Sequence, residues 1–427
     1  MKRTYSKSAA AGKHNQGDGP PIPLPFDRDH VQALMQHQLH GLATELGLLM
    51  AVQFLEEEVN QRCGPRYQRQ PDRALTRYGH QRGVVTLAGQ KLPIAKPRVR
   101  KTAGQGEVEL TTYAALQRDD AMPEAALRRL VRGVSCRDYE EVVERAAAGF
   151  GIGKSSVSRA FVRASAAEVE RLTQRRFDGT RFLAVFIDGV DYAGETMIVA
   201  LGVTEQGEKR ILGLRQGATE NAAVCRSLLE ELRDRGLRTD QPTLFVLDGA
   251  KALSKAVKDV WGKQAVTQRC QQHKLRNVKA HVPEERWAEV KRRLDEAYRQ
   301  TSYAQAKAQL QTTIKLLERI SPDAAASLRE GWEETLTVVR LGVAEPLRRT
   351  LATTNPIESA LSVAQTVTAR VKRWREGDMR QRWCAAGLLR AESKFRRVRG
   401  HRHLGELKKA LEQAVEGKEL DQRAGVA

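Results

Sequence analysis

The middle of the chain alternates strand-like and helical segments in an order that restricts the possible folds. Two helical stretches, at 219–235 and 250–261, separate the last three of five strand-like runs. The runs are RFLAVFIDG (181–189), TMIVALGVT (196–204), EKRILGLRQ (208–216), PTLFVLDG (242–249) and AVTQRC (265–270). Short turns favour an antiparallel meander, whereas intervening helices favour crossover connections between neighbouring strands. The pattern therefore predicts a meander that is continued by crossover-connected strands.

This order of elements is that of an RNase H-like α/β core. From about Lys274 to Thr350 nearly every residue falls in a helical pattern, and a new block then begins with TTNPIESALSVAQTVTARVKRWREG (353–377). The core is therefore predicted to be interrupted by an all-α insertion. Ahead of the core, HVQALMQHQLHGLATELGLLMAVQFLEEEV (30–59) has helical periodicity, and VVTLAGQKLPIAKPRVR (84–100) predicts a short two-strand unit.

Positive charge dominates the 427-residue chain and is concentrated in two places. Lys and Arg number 72 against 52 Asp and Glu, which gives a formal net charge of +20. Residues 60–101 hold eleven Lys or Arg with one acid, and residues 370–402 hold twelve with three acids. Segregated charge of this kind favours a polyanionic partner, most often nucleic acid, over a generally basic solvated surface. No apolar run approaches the roughly 18 residues of a membrane span, and five scattered cysteines fit free thiols in a reducing cytosol.

A DNA-binding helix pair is predicted just before the sheet. Residues 135–166, SCRDYEEVVERAAAGFGIGKSSVSRAFVRASA, predict a helix-turn-helix with a glycine-rich break at 149–153. In the second helix, Arg159 and Arg163 fall opposite the apolar face, where they could meet a duplex. A small helical hairpin with a polar outer face is the alternative.

The predicted fold class is therefore α/β, with a mostly helical DNA-binding region in front of an RNase H-like core that is split by helices. The predicted domains are a disordered basic arm (1–26), an N-terminal DNA-binding or dimerisation region (27–120), a helix-turn-helix domain (121–178), the first part of the core (179–273), the helical insertion (274–350), the last core helices with a basic segment (351–400) and a C-terminal helix or tail (401–427).

Two aspartates end apolar strands of the predicted sheet. Asp188 follows LAVFI, Asp248 follows LFVL, and each precedes a glycine. A carboxylate at the tip of a buried strand is costly unless a cation or ligand compensates it, so the pair predicts a divalent-metal site. The alternative is that each aspartate begins a D-G turn. A third acid is Glu358 in TTNPIESA, although spacing alone favours a helix cap there, with Asn355 as N-cap, Pro356 at N1 and Glu358 at N3.

Cys270 and His273 form a Cys-x-x-His pair in the basic stretch QRCQQHKLRNV (268–278). Three interpretations are open: a structural zinc site, an incidental core pair or part of an active site. A structural zinc ion normally needs four protein ligands, and the chain has no second Cys-x-x-His or Cys-x-x-Cys. Because AVTQRC should lie beside the strand that carries Asp248, the active-site interpretation is favoured.

Taken together, FIDG, LDGA, QRCQQHKLRNV and TTNPIES resemble the Mutator-type DDE transposases of bacterial insertion sequences. Sixty positions separate Asp188 from Asp248 and 110 separate Asp248 from Glu358, as in the branch that inserts a helical domain before the glutamate. The similarity runs from about residue 120 to about residue 395.

The resemblance implies a catalytic site in which Asp188, Asp248 and Glu358 hold two Mg²⁺ ions, with Mn²⁺ as a substitute. It implies that His273 contacts the DNA backbone while Cys270 packs beneath it. Further DNA contacts are predicted at Lys274, Arg276, Arg370, Lys372, Arg373 and Arg375, with Asn355 in support. The implied reaction is cleavage of the element's ends, followed by joining of the 3′-OH to target DNA.

The predicted partners are double-stranded DNA, both the terminal inverted repeats and the target, and a second copy of the chain in at least a dimer on DNA. The predicted location is the bacterial cytoplasm, at the nucleoid and away from membranes. Two rival functions remain: an RNase H-like structure-selective nuclease that cleaves without joining, and a non-enzymatic DNA-binding protein derived from a transposase.

Overall fold

The computed structural model describes residues 39–68, 73–87, 90–102, 104, 106–117, 121–133, 154–192, 194–217, 222–369, 371, 373–375 and 377–424. The described residues up to Gln117 belong to one compact unit, and those from Ala121 onward belong to a second.

The first unit packs a long helix on a β-ribbon. Its elements are α1 (Leu39–Cys63), β1 (Leu75–Leu87), β2 (Gln90–Lys101), β3 (Glu107–Val108) and α2 (Thr111–Gln117). The three strands are antiparallel in the order β1-β2-β3. Leu55 and Val59 of α1 pack with Val85 and Leu92 of the ribbon in one apolar core. The ribbon starts well before the strand pair predicted at 84–100, because the polar residues of early β1 pair through their backbones and leave little apolar alternation in the sequence.

The second unit is built around a five-stranded sheet. Its strands are β4 (Phe182–Tyr192), β5 (Glu195–Thr204), β6 (Lys209–Gly217), β7 (Thr243–Leu247) and β8 (Ala265–Arg269). They lie in the order β6-β5-β4-β7-β8; the β4–β5 and β5–β6 pairs are antiparallel, and the β4–β7 and β7–β8 pairs are parallel. The predicted mixed α/β architecture is therefore confirmed.

Helices surround this sheet. They are α3 (Ala121–Val131), α4 (Lys154–Thr173), α5 (Ala222–Asp234), α6 (Lys251–Trp261), α7 (Gln271–Lys279), α8 (Glu284–Arg299), α9 (Tyr303–Ile320), α10 (Pro322–Arg329), α11 (Thr337–Arg340), α12 (Glu345–Leu351), α13 (Asn355–Thr368), α14 (Met379–Glu392) and α15 (Leu404–Ala424). None of the helices in the described part of the chain has the length and apolar character that crossing a membrane requires.

The two faces of the sheet bury separate cores, because successive side chains along a strand point to opposite faces. Phe186 and Val246 face one core, which they share with α13, α14 and α15. Val185 and Phe245 face the other, which they share with α5 and α6. Helices α7 to α10 bury a third core of their own. The side of the sheet that carries α13 is the one on which the candidate site lies.

Of the predicted helix-turn-helix, the first helix and the glycine-rich break lie outside the described residues. The second helix corresponds to α4, which buries Val157, Ala160 and Phe161. The Phe161 ring stacks on Trp383 of α14 with 4.2 Å between ring centroids. Arg159 and Arg163 are exposed on the opposite side of α4, as the helical periodicity predicts.

Candidate active site

Asp188 and Asp248 reach the same face of the sheet from neighbouring strands. Ile187 of β4 pairs with Leu247 of β7 in parallel register, so the aspartate that follows each of them occupies an adjacent position. On the other side of β7, Leu247 pairs with Arg269 of β8, and the Cys270 amide donates to the Leu247 carbonyl over 2.7 Å. Alternation along the three strands therefore directs Asp188, Asp248 and Cys270 to the side of the sheet that packs on α13.

The local setting of the two aspartates differs. β4 does not end at Asp188 but continues to Tyr192, because Val190 and Tyr192 keep the apolar alternation and the strand stays paired with β5. The predicted strand tip and the D-G turn are thus both wrong for Asp188. Asp248 does follow the last residue of its strand, and its Oδ1 accepts a hydrogen bond of 2.8 Å from the Ala250 amide.

Asp188 lies in an environment that disfavours its ionised form. Its side chain is buried. Among the described residues, its carboxylate accepts a hydrogen bond from the Gly189 amide over 3.0 Å. Burial raises the pKa of the Asp188 carboxyl to about 7; His273 opposes the shift, and the charges of Asp248 and Glu358 add to it. A cation bound among these acids would relieve both the burial and the repulsion.

The Cys-x-x-His pair and Glu358 meet at one hydroxyl group. Cys270 is the residue before α7, His273 lies in its first turn, and Glu358 lies in the first turn of α13. The fully buried Thr354 Oγ1 lies 2.7 Å from Glu358 Oε1, 3.3 Å from Cys270 Sγ and 3.3 Å from His273 Nδ1. The Thr354 amide also donates to Cys270 Sγ over 3.3 Å. Thr354 therefore joins the end of β8 to the start of α13.

These contacts also set the charge state around His273. Burial would raise the pKa of Cys270, but hydrogen bonds with His273 and Thr354 outweigh it and lower that pKa below its usual value. A hydrogen bond with Cys270 raises the pKa of His273 against the effect of burial, and the charges of Asp188 and Glu358 raise it further. His273 Nε2 lies 3.8 Å from Glu358 Oε1. The imidazole is therefore suited to carry positive charge beside Asp188 and Glu358.

The N-terminus of α13 does not follow the predicted capping pattern. Thr354 is the N-cap, and Asn355 is the exposed first residue of the helix, so it does not cap. Glu358 consequently sits one position later than N3, and its carboxylate accepts from the Thr354 hydroxyl instead of from the N-cap amide. The predicted start of this helix, with Asn355 as N-cap, is one residue too late, because Asn is a stronger N-cap than Thr by residue type alone.

The predicted DNA contact of Lys274 is wrong, whereas Arg276 does lie beside Glu358. The Lys274 side chain is buried, and its Nζ donates to the Ser327 and Glu330 carbonyls over 2.6 Å each. Burial lowers the pKa of Lys274 to about 8, so this lysine holds the end of α10 and is not available to DNA. Arg276, one helical turn from His273, is exposed and lies 3.9 Å from Glu358 Oε2.

The remaining predicted DNA contacts follow α13 in the sequence. Arg370 and Lys372 lie outside the described residues. Arg373 and Arg375 are exposed on either side of Trp374, whose ring packs edge-on against Tyr192 at the end of β4, with 6.2 Å between centroids. These two arginines are thus attached, through Trp374, to the strand that carries Asp188.

Thr354 is the residue of the site that the sequence did not reveal. As one of two threonines before the Asn-Pro of TTNPIES, it is indistinguishable by type from a turn residue. Its spacing of four residues before Glu358 is the signal that could have drawn attention to it, because side chains four apart on a helix are neighbours.

A profile of the family described as "Transposase, Mutator family" matches residues 28–374. The chain belongs to the Mutator family of transposases.

Curated relatives are transposases of insertion sequences. The chain is 27% identical over 304 residues to the transposase of ISRM5 from Rhizobium meliloti (strain 1021), an alignment that covers 68% of this chain and 73% of the relative. It is 28% identical over 173 residues to that of IS905 from Lactococcus lactis subsp. lactis (strain IL1403), covering 39% and 43%. It is 26% identical over 230 residues to that of IS256 in transposon Tn4001 from Staphylococcus aureus, covering 51% and 56%.

Proposed function

We propose that the chain cleaves the ends of an insertion sequence and joins the freed 3′-OH to target DNA at a site formed by Asp188, Asp248 and Glu358. Membership of the Mutator family supports the reaction class. The observation that carries the choice of residues is electrostatic: the charges of Asp248 and Glu358 add to the burial that raises the pKa of Asp188 to about 7. A buried carboxylate whose ionised form is further disfavoured by two neighbouring acids would be stabilised by divalent cations bound among the three.

We infer further that the sheet and its helices form an RNase H-like core. The three antiparallel strands followed by two parallel ones, with α5 and α6 as the crossovers, support this assignment. The stretch from α7 to α12 would then be the helical insertion between the second aspartate and the glutamate. The pair of helices ending in α4 would be a helix-turn-helix, with Arg159 and Arg163 facing DNA.

The donor set fits Mg²⁺. All three acids offer oxygen ligands, which Mg²⁺ and Mn²⁺ prefer, and Asp188 is under-satisfied by protein donors in the way that a metal ligand would be. Two Mg²⁺ ions held there would increase the acidity of the attacking water or hydroxyl and neutralise charge on the leaving oxygen. The soft thiol of Cys270 lies beneath this set and is engaged with Thr354.

The chain's own residues would bind and align the DNA for two successive displacements at phosphorus. In the first, a water oxygen bonds to the phosphorus, the bond to the 3′-oxygen breaks, and that oxygen leaves as a 3′-OH. In the second, this 3′-OH bonds to a target phosphorus and a target 3′-oxygen leaves, so one phosphodiester replaces another. His273 as an imidazolium and the exposed Arg276, both within 4 Å of Glu358, would hold the non-bridging phosphate oxygens.

We expect the basic residues Arg370, Lys372, Arg373 and Arg375 to add affinity for the DNA backbone, and such binding should weaken steeply with salt. Both ends of an element are processed together, so at least a dimer is expected on DNA. We therefore expect the protein to act at the bacterial nucleoid, where its DNA substrates lie.

One experiment separates this function from its two rivals. The full chain is incubated with labelled duplexes that carry the element's inverted repeats, an unlabelled target plasmid and Mg²⁺. A transposase yields label joined to the plasmid, a structure-selective nuclease yields cleaved label alone, and a DNA-binding protein yields a shifted but intact duplex. Absence of joined product with wild-type protein under conditions that support end binding would overturn the proposal.

A further inference from the structure

A cavity of about 610 Å³ opens at the edge of the sheet, away from the candidate active site. It lies where the start of β6 meets the segment that follows α14. The side chains that matter for its chemistry are those of Arg175, Lys209, Arg210, Phe395, Arg396 and Arg397.

The cavity carries positive charge that its own acids do not neutralise. Glu392 is held by a two-bond fork from Arg175, over 2.7 and 2.8 Å, and Glu208 accepts from Arg210 over 3.0 Å. Within the part of the chain that the structure describes, Lys209, Arg396 and Arg397 form no salt bridge with a carboxylate. Three cationic side chains therefore converge on one concave surface while both lining acids are already engaged.

Lys209 is the least expected of these cations, because its amine is drawn into the wall of the cavity. Its Nζ lies 4.7 Å from the centre of the Phe395 ring, and burial lowers the pKa of Lys209. A bound anion would compensate this burial, since an opposite charge nearby favours the charged form of an amine.

The segment that carries the two arginines is fixed in place. The Val398 amide donates to the Gly207 carbonyl in the β5–β6 turn over 2.9 Å. Gly207 has φ +84°, and a Cβ there would come within 2.5 Å of His401 Cβ, so the close approach requires glycine. The backbone from which Arg396 and Arg397 project is therefore tied to the β5–β6 turn, which reduces the backbone freedom that ligand binding would cost.

The register of the sheet separates this cavity from the acids. Asp188 pairs with Val199, which pairs with Leu214 of β6, whereas Lys209 begins that strand. Lys209 therefore lies five residues along the strand and two strands across from Asp188, a separation of about 20 Å. That distance equals roughly six base pairs of duplex at 3.4 Å each, so a ligand here is not the phosphate at which bonds would change.

We propose that this cavity is a second DNA site, at which Lys209, Arg396 and Arg397 bind phosphates of duplex DNA at a distance from the catalytic acids. The inference rests on the proposed transposase function for the identity of the polyanion. It adds the place on the molecule where DNA beyond the reaction centre is held.

The test measures binding of the full chain to a random-sequence duplex of about 40 base pairs, in EDTA, with salt varied from about 50 to 200 mM. Arg396→Ala/Arg397→Ala should raise Kd about tenfold and reduce the slope of log affinity against log salt by about two, one unit for each lost phosphate contact. Lys209→Met, which keeps the aliphatic stem on Phe395, should reduce that slope by about one.

Lys315→Ala/Arg319→Ala provides the matched control, because it also removes two exposed cations, from α9. Its salt slope should stay at the wild-type value. Equal losses in the two double variants would mean that only the total charge matters, and no loss in any variant would remove the cavity from the interface; either result overturns the proposal. Wild-type protein that fails to bind DNA in a salt-dependent way would instead count against the proposed function itself. Thermal melting of each variant shows that it is folded.

Discussion

Two buried carboxylates, one in each unit, have the same exposure and opposite properties. Glu58 of α1 and Asp188 of β4 are each 9% exposed. The pKa of Glu58 is lowered to about 2, whereas the pKa of Asp188 is raised to about 7. Burial raises the pKa in both cases, so the difference lies in what surrounds each carboxylate.

Glu58 is satisfied by its own protein. Its oxygens accept from the Thr111 amide, the Thr111 hydroxyl and the Thr112 amide, each over 2.8 Å, and Arg62 lies 2.5 Å away. The carboxylate thereby caps the start of α2, and these hydrogen bonds lower its pKa by more than burial raises it. For Asp188, burial and the repulsion of two further acids raise the pKa by more than the charge of His273 and the Gly189 amide lower it. A carboxylate that the fold completes is structural, and one that the fold leaves incomplete is suited to an external cation.

The largest expected effect concerns chemistry. Asp188→Asn, Asp248→Asn and Glu358→Gln should each lower strand cleavage and joining by more than about 10²-fold, because each removes a metal-binding charge with little change in volume. End binding measured without metal should change little. Glu58→Gln is the matched control: where that variant is folded, its cleavage rate should stay near that of wild type. Robust joining by Glu358→Gln would remove the glutamate from the site.

The second prediction uses the raised pKa of Asp188. Between about pH 4 and pH 7 the folded chain holds a proton that the unfolded chain has lost, so ionisation of Asp188 makes folding less favourable as pH rises through this window. Asp188→Asn should therefore unfold with the same free energy as wild type near pH 4 and be more stable above pH 7, by up to about 4 kcal/mol.

Metal-free protein melted across this pH range checks the prediction. Added Mg²⁺ should stabilise wild type and not the variant, which narrows the gap. A variant less stable than wild type at pH 8 would mean that Asp188 is held by protein contacts, as Glu58 is.

The third prediction concerns Glu58, whose replacement should lower stability at neutral pH where replacement of Asp188 should raise it. Glu58→Gln should weaken the first unit by about 1.5–3 kcal/mol at pH 7, because charge-assisted hydrogen bonds are lost and a new amide faces backbone donors. The deficit should disappear as pH falls from about 4.5 towards 2, where the wild-type carboxylate itself becomes protonated. Hydrogen exchange of the β1–β2 ribbon measures this local stability.

The sequence was a good guide to the elements and a poor one to their contacts. Apolar alternation predicted the strands around Asp188 and Asp248, because the sheet is buried on both faces and its side chains follow a period of two. The catalytic roles themselves stay predictions. The same alternation could not reveal where β4 ends, since Asp188 interrupts an apolar pattern that Val190 and Tyr192 then resume.

Lys274 and Thr354 show the limit more sharply. A basic stretch predicts solvent-exposed cations, yet the period of α7 turns Lys274 inward, where carbonyl oxygens of α10 satisfy its amine. Thr354 matters through partners 81 and 84 positions away along the chain, His273 and Cys270. Contacts between residues so far apart in the chain depend on how the whole unit folds, so local sequence patterns do not predict them.

The smallest predicted effect compares two threonine hydroxyls that hold the two kinds of carboxylate. Thr111 Oγ1 donates to Glu58 over 2.8 Å, and Thr354 Oγ1 donates to Glu358 over 2.7 Å. Thr354→Val keeps the side-chain shape but removes the hydroxyl contacts with Glu358, Cys270 and His273. Cleavage should fall about tenfold, the equivalent of one lost hydrogen bond near 1.4 kcal/mol, with a higher Mg²⁺ concentration needed for half-maximal rate. Thr354→Ser should restore both. Thr111→Val should instead cost stability of the first unit and leave the cleavage rate of folded protein unchanged. If Thr354→Val lowers the melting temperature while its Mg²⁺ dependence stays that of wild type, Thr354 is a structural link like Thr111, and the two carboxylates are held for the same reason.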